Sequence, residues 1–579
     1  MKRLICYMKL KPAESILAPL FKMLEAIFEL FVPLLVASLV DDGIGGGDVA
    51  HIVRVGLVLI LLGVVGFVSA ITAQYFAAKS AVAVGTAMRR DLFAHINSFT
   101  YREIDEAGVS SLITRMTNDV NQVQNGVNIF LRLFMRSPFV VLGAMVMAFF
   151  IDSEIALVFL GTIVLLLIVV FLIPLVTMPL YKKVQAKLDR VMLSTRENLS
   201  GVRVIRAFNR QSAESEKYSE ESSALYRAQI FVGKISALLN PITFVIINAA
   251  IILLLWSGAL KVDESRLSQG DVIALVNLMS QILVELIKFV NFIILITKAN
   301  ASLNRVNAIF DKAPSIDEHT GERISADSGV SVEFKGVSFA YPTASSEAID
   351  DISFKAEGGQ TIGIIGGTGS GKSTLVNLIP RFYEPLSGEI YIDGKRSSEL
   401  DIETLRDIIA IVPQKAQLFA GSIRTNLQMS NPEADDWKMY TALEVAQALD
   451  FVEDKGEGLE FEIEQGGRNL SGGQKQRLTI ARALVKDPSI LILDDSASAL
   501  DYATDARLRA AIKEYSASMT VFIVSQRVGS VRSADKIAVL DDGRLAGFGT
   551  HRELLRTCEV YREICRSQMK REEIERDEK

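Results

Sequence analysis

The chain has 579 residues, 49% hydrophobic and 22% charged, with a net charge of −6. That length would suit about three or four soluble domains, but most of the long apolar runs fall before residue 300. The negative balance leaves no basic footprint, so no nucleic acid is expected as a partner. Cys6, Cys558 and Cys565 form neither a disulfide framework nor a metal-ligand spacing and read as inert thiols in a reducing compartment.

Six apolar segments are each long enough for a bilayer core, which needs ~20 helical residues. They lie at about 16–40, 52–76, 136–152, 154–180, 231–260 and 271–297. No A-x-A-like cleavage site follows the first run, so it is expected to be retained. Three connections are short: Asp41–Gly47, Ile151–Glu154 and Val262–Gly270. The other two, residues 77–135 and 181–230, are long, helical in pattern and rich in Lys and Arg at or near their ends, Arg132 and Arg136 included. The positive-inside bias makes these long loops and both termini cytoplasmic. Their length predicts helices running on out of the membrane. Two stretches suit the tips: Ser98–Val109, and Glu197–Phe208 with Val202, Ile205 and Phe208 on one helical face.

Charge inside a span is expensive and usually faces protein or water. Glu25 and Glu29 fall in the first span, Glu285 and Lys288 in the sixth. Glu285 and Lys288 at i, i+3 suit a local ion pair. Alternatively, Glu25, Glu29 and Glu285 line a cavity and favour cationic cargo.

After residue 305 the composition changes. Residues 306–327 read as a linker, 328–565 as a second domain and 566–579 as a charged tail, with 1–305 the membrane domain. Gly366-Gly367-Thr368-Gly369-Ser370-Gly371-Lys372-Ser373-Thr374 fits G-x-x-x-x-G-K-[ST] between an apolar β-branched run and a helical one. Such a glycine loop curls its N–H groups around phosphates, with Lys372 on the β/γ-phosphates and the Ser373 hydroxyl on Mg²⁺. The chain therefore binds a nucleoside triphosphate, ATP for a domain facing the cytoplasm. Tyr341, just before Pro342, is either an adenine-stacking ring or a hairpin aromatic. Ile490–Asp494 is a buried strand ending in a carboxylate suited to Mg²⁺. Leu470-Ser471-Gly472-Gly473-Gln474 opens a helix that would bind an anion. With a phosphate loop already present, that second site implies a nucleotide held by another domain.

In order and spacing, Gly366–Thr374, Gln414, Leu470–Gln474, Ile490–Asp494 and Ser498–Asp501 resemble the Walker A, Q-loop, signature, Walker B and D-loop of ABC ATPases. With six spans in front, the chain resembles a half-transporter of the ABC exporter family. The resemblance implies an all-α six-span membrane domain followed by an α/β P-loop domain. It also implies a dimer with two ATPs, each held between the Walker A of one subunit and the signature of the other. Tyr341 would then stack on adenine, Gln414 would touch Mg²⁺ with Ser373 and Asp494, and the two loop tips would be coupling helices.

Three positions depart from that pattern. The glutamate expected after Asp494 is Asp495, whose carboxylate falls about 1.5 Å short, and misplacement by ~1 Å can cost ~100-fold. The expected switch histidine is Gln526, which can hydrogen-bond to a γ-phosphate but cannot become a cation or relay a proton. Gln465 also stands where a glutamate is expected before the signature. The pattern is similar to the degenerate-site subunit of bacterial heterodimeric multidrug exporters. It implies a site that binds ATP but hydrolyses it poorly, an intact signature completing a partner's site, and a second half-transporter subunit in a bacterial plasma membrane. Membrane lipids and a small hydrophobic or amphipathic cargo are the other expected partners. A homodimeric drug or lipid exporter and an ATP-gated regulator that transports nothing remain alternatives.

Overall fold

A computed structural model of the chain describes residues 2–316, 321–324, 329–342, 344, 346–496, 498–515 and 518–578. The expected linker, 306–327, thus lies partly outside the described residues. The chain divides into two compact units: Met1–His95 with Ser110–Lys312, and Ile96–Val109 with Ala313–Lys579.

The first unit is all helix. Six long helices carry the apolar runs: Pro12–Gly45, Val49–Asn97, Val109–Ile151, Ser153–Ser200, Gln211–Asp263 and Gln269–Phe310. Pro19, Pro33, Pro174 and Pro179 are absorbed without ending a helix. The tightest expected turn works as a cap. The Asp152 side chain accepts the N–H groups of Glu154 and Ile155 at 2.9 Å, as helix N-caps do, and Lys261 Nζ reaches the same carboxylate at 2.7 Å. Ser268 and Asp271 close a capping box at the start of the sixth helix. The membrane core joins Ala26 and Leu30 to Val140, Phe159, Leu254, Leu278 and Ile282. Of the two expected loop tips, Val202–Ala207 is a short helix in this unit, with Val204 and Phe208 exposed.

In the second unit, strands alternate with helices. They are β1 (Val332–Phe339), β2 (Ile349–Ala356), β3 (Thr361–Gly366), β4 (Ser387–Ile392), β5 (Lys395–Arg396), β6 (Ile409–Val412), β7 (Gly421–Ser422), β8 (Glu462–Ile463), β9 (Ile490–Asp494), β10 (Thr520–Val524), β11 (Lys536–Asp541) and β12 (Arg544–Gly549). A six-stranded sheet runs β12-β11-β3-β10-β9-β6, parallel but for β12, beside a four-stranded sheet β2-β1-β4-β5 whose pairings are antiparallel. Strands β3 and β9 read as unbroken apolar runs because helices cover both faces of a parallel sheet. Val524 pairs with Ile364 on one side and Asp494 on the other. The C-terminal ends of β3, β9 and β10 therefore emerge together, where such sheets bind ligands.

The other expected loop tip belongs to this second unit. Thr100 and Glu103 close a capping box on the helix Tyr101–Ala107, which stops at Gly108 with φ +73°. Tyr101 packs on Phe382 with ring centroids 4.5 Å apart, and the Tyr383 hydroxyl donates to Asp105 at 2.6 Å. At the other end of the chain, the residues expected as a charged tail include the helix Arg571–Glu578, with Ile574 buried among Leu554, Tyr561 and Cys565.

Candidate functional site

The glycine loop leaves β3 at Gly366 and enters the helix Lys372–Leu378. Gly366 lies against β11: a Cβ there would meet the Leu540 carbonyl at 2.1 Å. Gly371 has φ +90° and its Cβ would meet the Ala348 carbonyl at 2.6 Å, so neither position admits a side chain. Lys372 is buried, and its ammonium donates to the carbonyls of Gly366 and Gly367 at 3.0 and 2.5 Å. Burial lowers its pKa, against the opposing pull of Asp495 and Asp494.

A cleft of about 340 Å³ opens beside the loop. It is bordered by Tyr341, by Thr368 to Thr374, and by Gln414, Asp494, Asp495 and Gln526. The Tyr341 hydroxyl lies 3.1 Å from Thr374 Oγ1, and its ring meets Phe339 edge-on at 5.0 Å. The structure thus brings the predicted loop, aromatic, Q-loop and strand-end residues to one place.

At the floor, Ser373 Oγ donates to Asp494 Oδ1 at 2.9 Å. Asp494 is buried; desolvation pushes its carboxyl up, as does the nearby Asp495, while Ser373 and Lys372 pull it down. Gln414 Nε2 donates to Asp495 Oδ2 at 3.2 Å. Asp495 itself has φ +45°, a left-handed backbone that Asp tolerates better than most residues. Among the described residues no three His, Cys, Asp or Glu converge as a metal cage. The paired hydroxyl and carboxylate nevertheless fit Mg²⁺, which takes hard oxygen ligands, keeps several waters and uses one or two carboxylates beside substrate phosphates.

Ser471, Gly472, Gly473 and Gln474 do not border this cleft. Ser471 caps the helix Gly472–Val485, accepting from the Gln474 N–H at 3.3 Å while the Gln474 side chain accepts from the Ser471 N–H at 3.0 Å. Ser471 and Gly472 are exposed, and a Cβ on Gly473 would meet the Ala499 carbonyl at 3.2 Å. Gln465 opens a short 3-10 turn upstream.

The membrane unit holds a second cluster. Arg136, expected as an end-of-loop cation, has a side chain only 8% exposed; Nη2 lies 2.5 Å from Glu29, and its other contacts are Glu285 at 3.4 Å and Glu25 at 3.7 Å. Lys22 pairs with Glu25 at 2.6 Å and Lys288 with Glu285 at 2.8 Å. The three glutamates do border two cavities of about 400 and 640 Å³. Yet they are matched one for one by cations, which weakens the expectation of an acidic, cation-selecting wall. Arg136 was assigned to the loop, and its glutamate partners were missed, because it stands at the very start of its span. Gln568 was passed over too: its amide bonds to the backbone of Gln526, a contact across 42 positions that no local pattern announces.

A six-helix membrane unit and a parallel-sheet P-loop unit on one chain define a transport ATPase. Residues 15–286 match the ABC transporter transmembrane region and residues 349–498 match the ABC transporter family. An ABC transporter ATP-binding protein of Bacillus subtilis is 36% identical over 99% of each chain. One of Mycobacterium tuberculosis is 34% identical over 96% of this chain and 97% of its own. A putative export ATP-binding/permease protein of Rickettsia felis is 30% identical over 98% of both. Among solved structures, a bacterial Atm1-family ABC exporter with ATP bound shares the fold, at TM-score 0.80 and 22% identity over 97% of this chain and 99% of its own. The chain belongs to the ABC transporter family, as a membrane domain fused to its ATPase. It is a multi-pass plasma-membrane protein with a cytoplasmic ATPase domain.

Proposed function

We propose that this chain is one subunit of a heterodimeric exporter that moves hydrophobic or amphipathic compounds out across the membrane. Export is the activity named for the Rickettsia felis relative. ATP is held at the cleft by Gly366–Thr374, with Tyr341 against the adenine, Lys372 on the β/γ-phosphates, and Ser373, Asp494 and Gln414 around Mg²⁺. Binding ATP closes two such ATPase domains by differential affinity for the closed state, and closure turns the cavity outward.

The observation that carries the heterodimer is the shared position of Asp495 and Gln526 on one cleft, while the signature lies off it. A short carboxylate and a neutral amide stand where a water must be oriented and a proton managed, so this cleft turns ATP over slowly. Ser471 to Gln474, intact and with Ser471 and Gly472 exposed, complete the site of a partner that supplies its own glutamate and histidine. Asp495→Glu combined with Gln526→His, measured beside the wild-type chain purified alone, tests this. Near-zero wild-type ATPase with turnover in the double variant is the expected result. Brisk wild-type hydrolysis would replace the heterodimer with a homodimeric exporter.

A further inference from the structure

The helix Glu559–Gln568 ends beside the loop that carries Gln526. There the Gln568 amide spans the loop: Nε2 donates to the Gln526 carbonyl at 2.8 Å, and Oε1 accepts from the Val528 N–H at 2.8 Å. The second bond is a helix cap supplied from outside. Val528–Val531 is a short helix whose own N-cap, Arg527, offers no side-chain acceptor to it, so a first-turn N–H that would otherwise be orphaned is met by Gln568. Gln568 is exposed, and freezing an exposed glutamine costs rotamer entropy, which two well-formed main-chain bonds offset. Its helix is firmly seated. Tyr561 and Cys565 share a buried cluster with Val528 and Val531, and the Tyr561 hydroxyl lies 2.7 Å from His551 Nδ1.

We infer that Gln568 is a positioning residue for the γ-phosphate side of this chain's nucleotide site, holding the backbone on both sides of Arg527 so that Gln526 faces the cleft. This rests on the reading of Gln526 as the residue that meets the γ-phosphate. The main chain at 526 follows directly from β10, whose end is fixed by the Ser525 N–H bonded to the Ile364 carbonyl at 3.0 Å. Beyond Ser525, the carbonyl of 526 and the N–H of 528 are held by one amide from the C-terminal helix. Loss of that amide leaves the two peptide planes held, among the described residues, only by the Arg527 N–H bond to Ser525 Oγ at 3.0 Å and the Ser530 N–H bond to the Arg527 carbonyl at 3.1 Å, which loosens the aim of the Gln526 side chain. Only a ligand group reached by Gln526 should notice, and ADP lacks that group.

The test is equilibrium binding of Mg-ATP and Mg-ADP to the full-length chain in lipid nanodiscs, for wild type, Gln568→Ala, Gln568→Glu and Gln526→Ala. Gln568→Ala is expected to weaken Mg-ATP about fivefold, the size of one lost hydrogen bond, and to leave Mg-ADP within about twofold. Gln568→Glu keeps the acceptor for Val528 but sets a carboxylate against the Gln526 carbonyl, and is expected to behave alike. Equal weakening of both nucleotides, or no change, with Gln526→Ala still selective against ATP, overturns the inference. If Gln526→Ala itself leaves the ATP-to-ADP ratio untouched, the premise about Gln526 falls instead, and the inference with it.

Discussion

Gln414 reaches Asp495 across 3.2 Å, amide to carboxylate, at the rim of the nucleotide cleft. The Asp495 carboxylate is thus engaged by the glutamine amide. Asparagine at 495 could still accept that hydrogen bond while losing the charge. Asp495→Asn is therefore expected to change ATPase of the assembled transporter by less than about twofold. A loss of ~100-fold or more, the scale of a general base, would show that Asp495 activates water after all.

Burial holds the Asp494 carboxyl above its ordinary value of ~3.9. A carboxyl shifted this way keeps its proton to higher pH when folded, so its stabilising contribution is lost as pH rises through the folded value. Mg²⁺ needs the ionised form and competes with that proton. The Mg²⁺ concentration for half-maximal Mg-ATP binding should rise as pH falls, and begin to rise at a higher pH than an ordinary carboxylate predicts. Ser373→Ala removes a hydrogen bond that favours the anion and should move the rise to higher pH. A flat profile in both would count against Asp494 as the ligand.

Among the described residues, Arg136 is the one cation that touches all three intramembrane glutamates. Arg136→Met leaves three carboxylates facing Lys22 and Lys288 alone, and breaking a buried pair costs about 3–5 kcal/mol. We expect a fall of several degrees in the thermal midpoint of the purified chain. Adding Glu285→Gln, which removes the most buried of the three acids, should recover part of it. Additive losses would show that the two side chains are not energetically coupled.

Tyr341 offers two separable contributions. Its hydroxyl meets Thr374, while its ring borders the cleft. Tyr341→Phe should leave ATP affinity within about twofold, whereas Tyr341→Ala loses base stacking of ~1–3 kcal/mol, a drop of about tenfold. A hairpin aromatic with no adenine contact would leave affinity unmoved in both.

The cleft was legible because its geometry is local. A tight glycine loop and a strand ending in aspartate each write their shape in a few adjacent residues, and a parallel sheet then gathers the strand ends. The six spans were legible for a different reason, since a bilayer demands unbroken apolar length. Arg136 and Gln568 were not, because each acquires meaning only from residues distant in the chain: Arg136 from Glu25 and Glu285, Gln568 from the backbone at 526. Asp105 belongs with them; nothing near it foretells a bond to Tyr383, 278 positions on.

Residues 96–109 fold with the ATPase unit although the chain on either side of them belongs to the membrane unit. The border between the units is thus crossed three times, at 95/96, 109/110 and 312/313, and no single cut separates one from the other. Inheritance is constrained accordingly. A recombination joining the front of one transporter to the back of another near residue 313 would carry over Phe382 and Tyr383 without the Tyr101 and Asp105 that meet them. The two halves must descend together, or the short helix at 101–107 must be exchanged with the domain it serves.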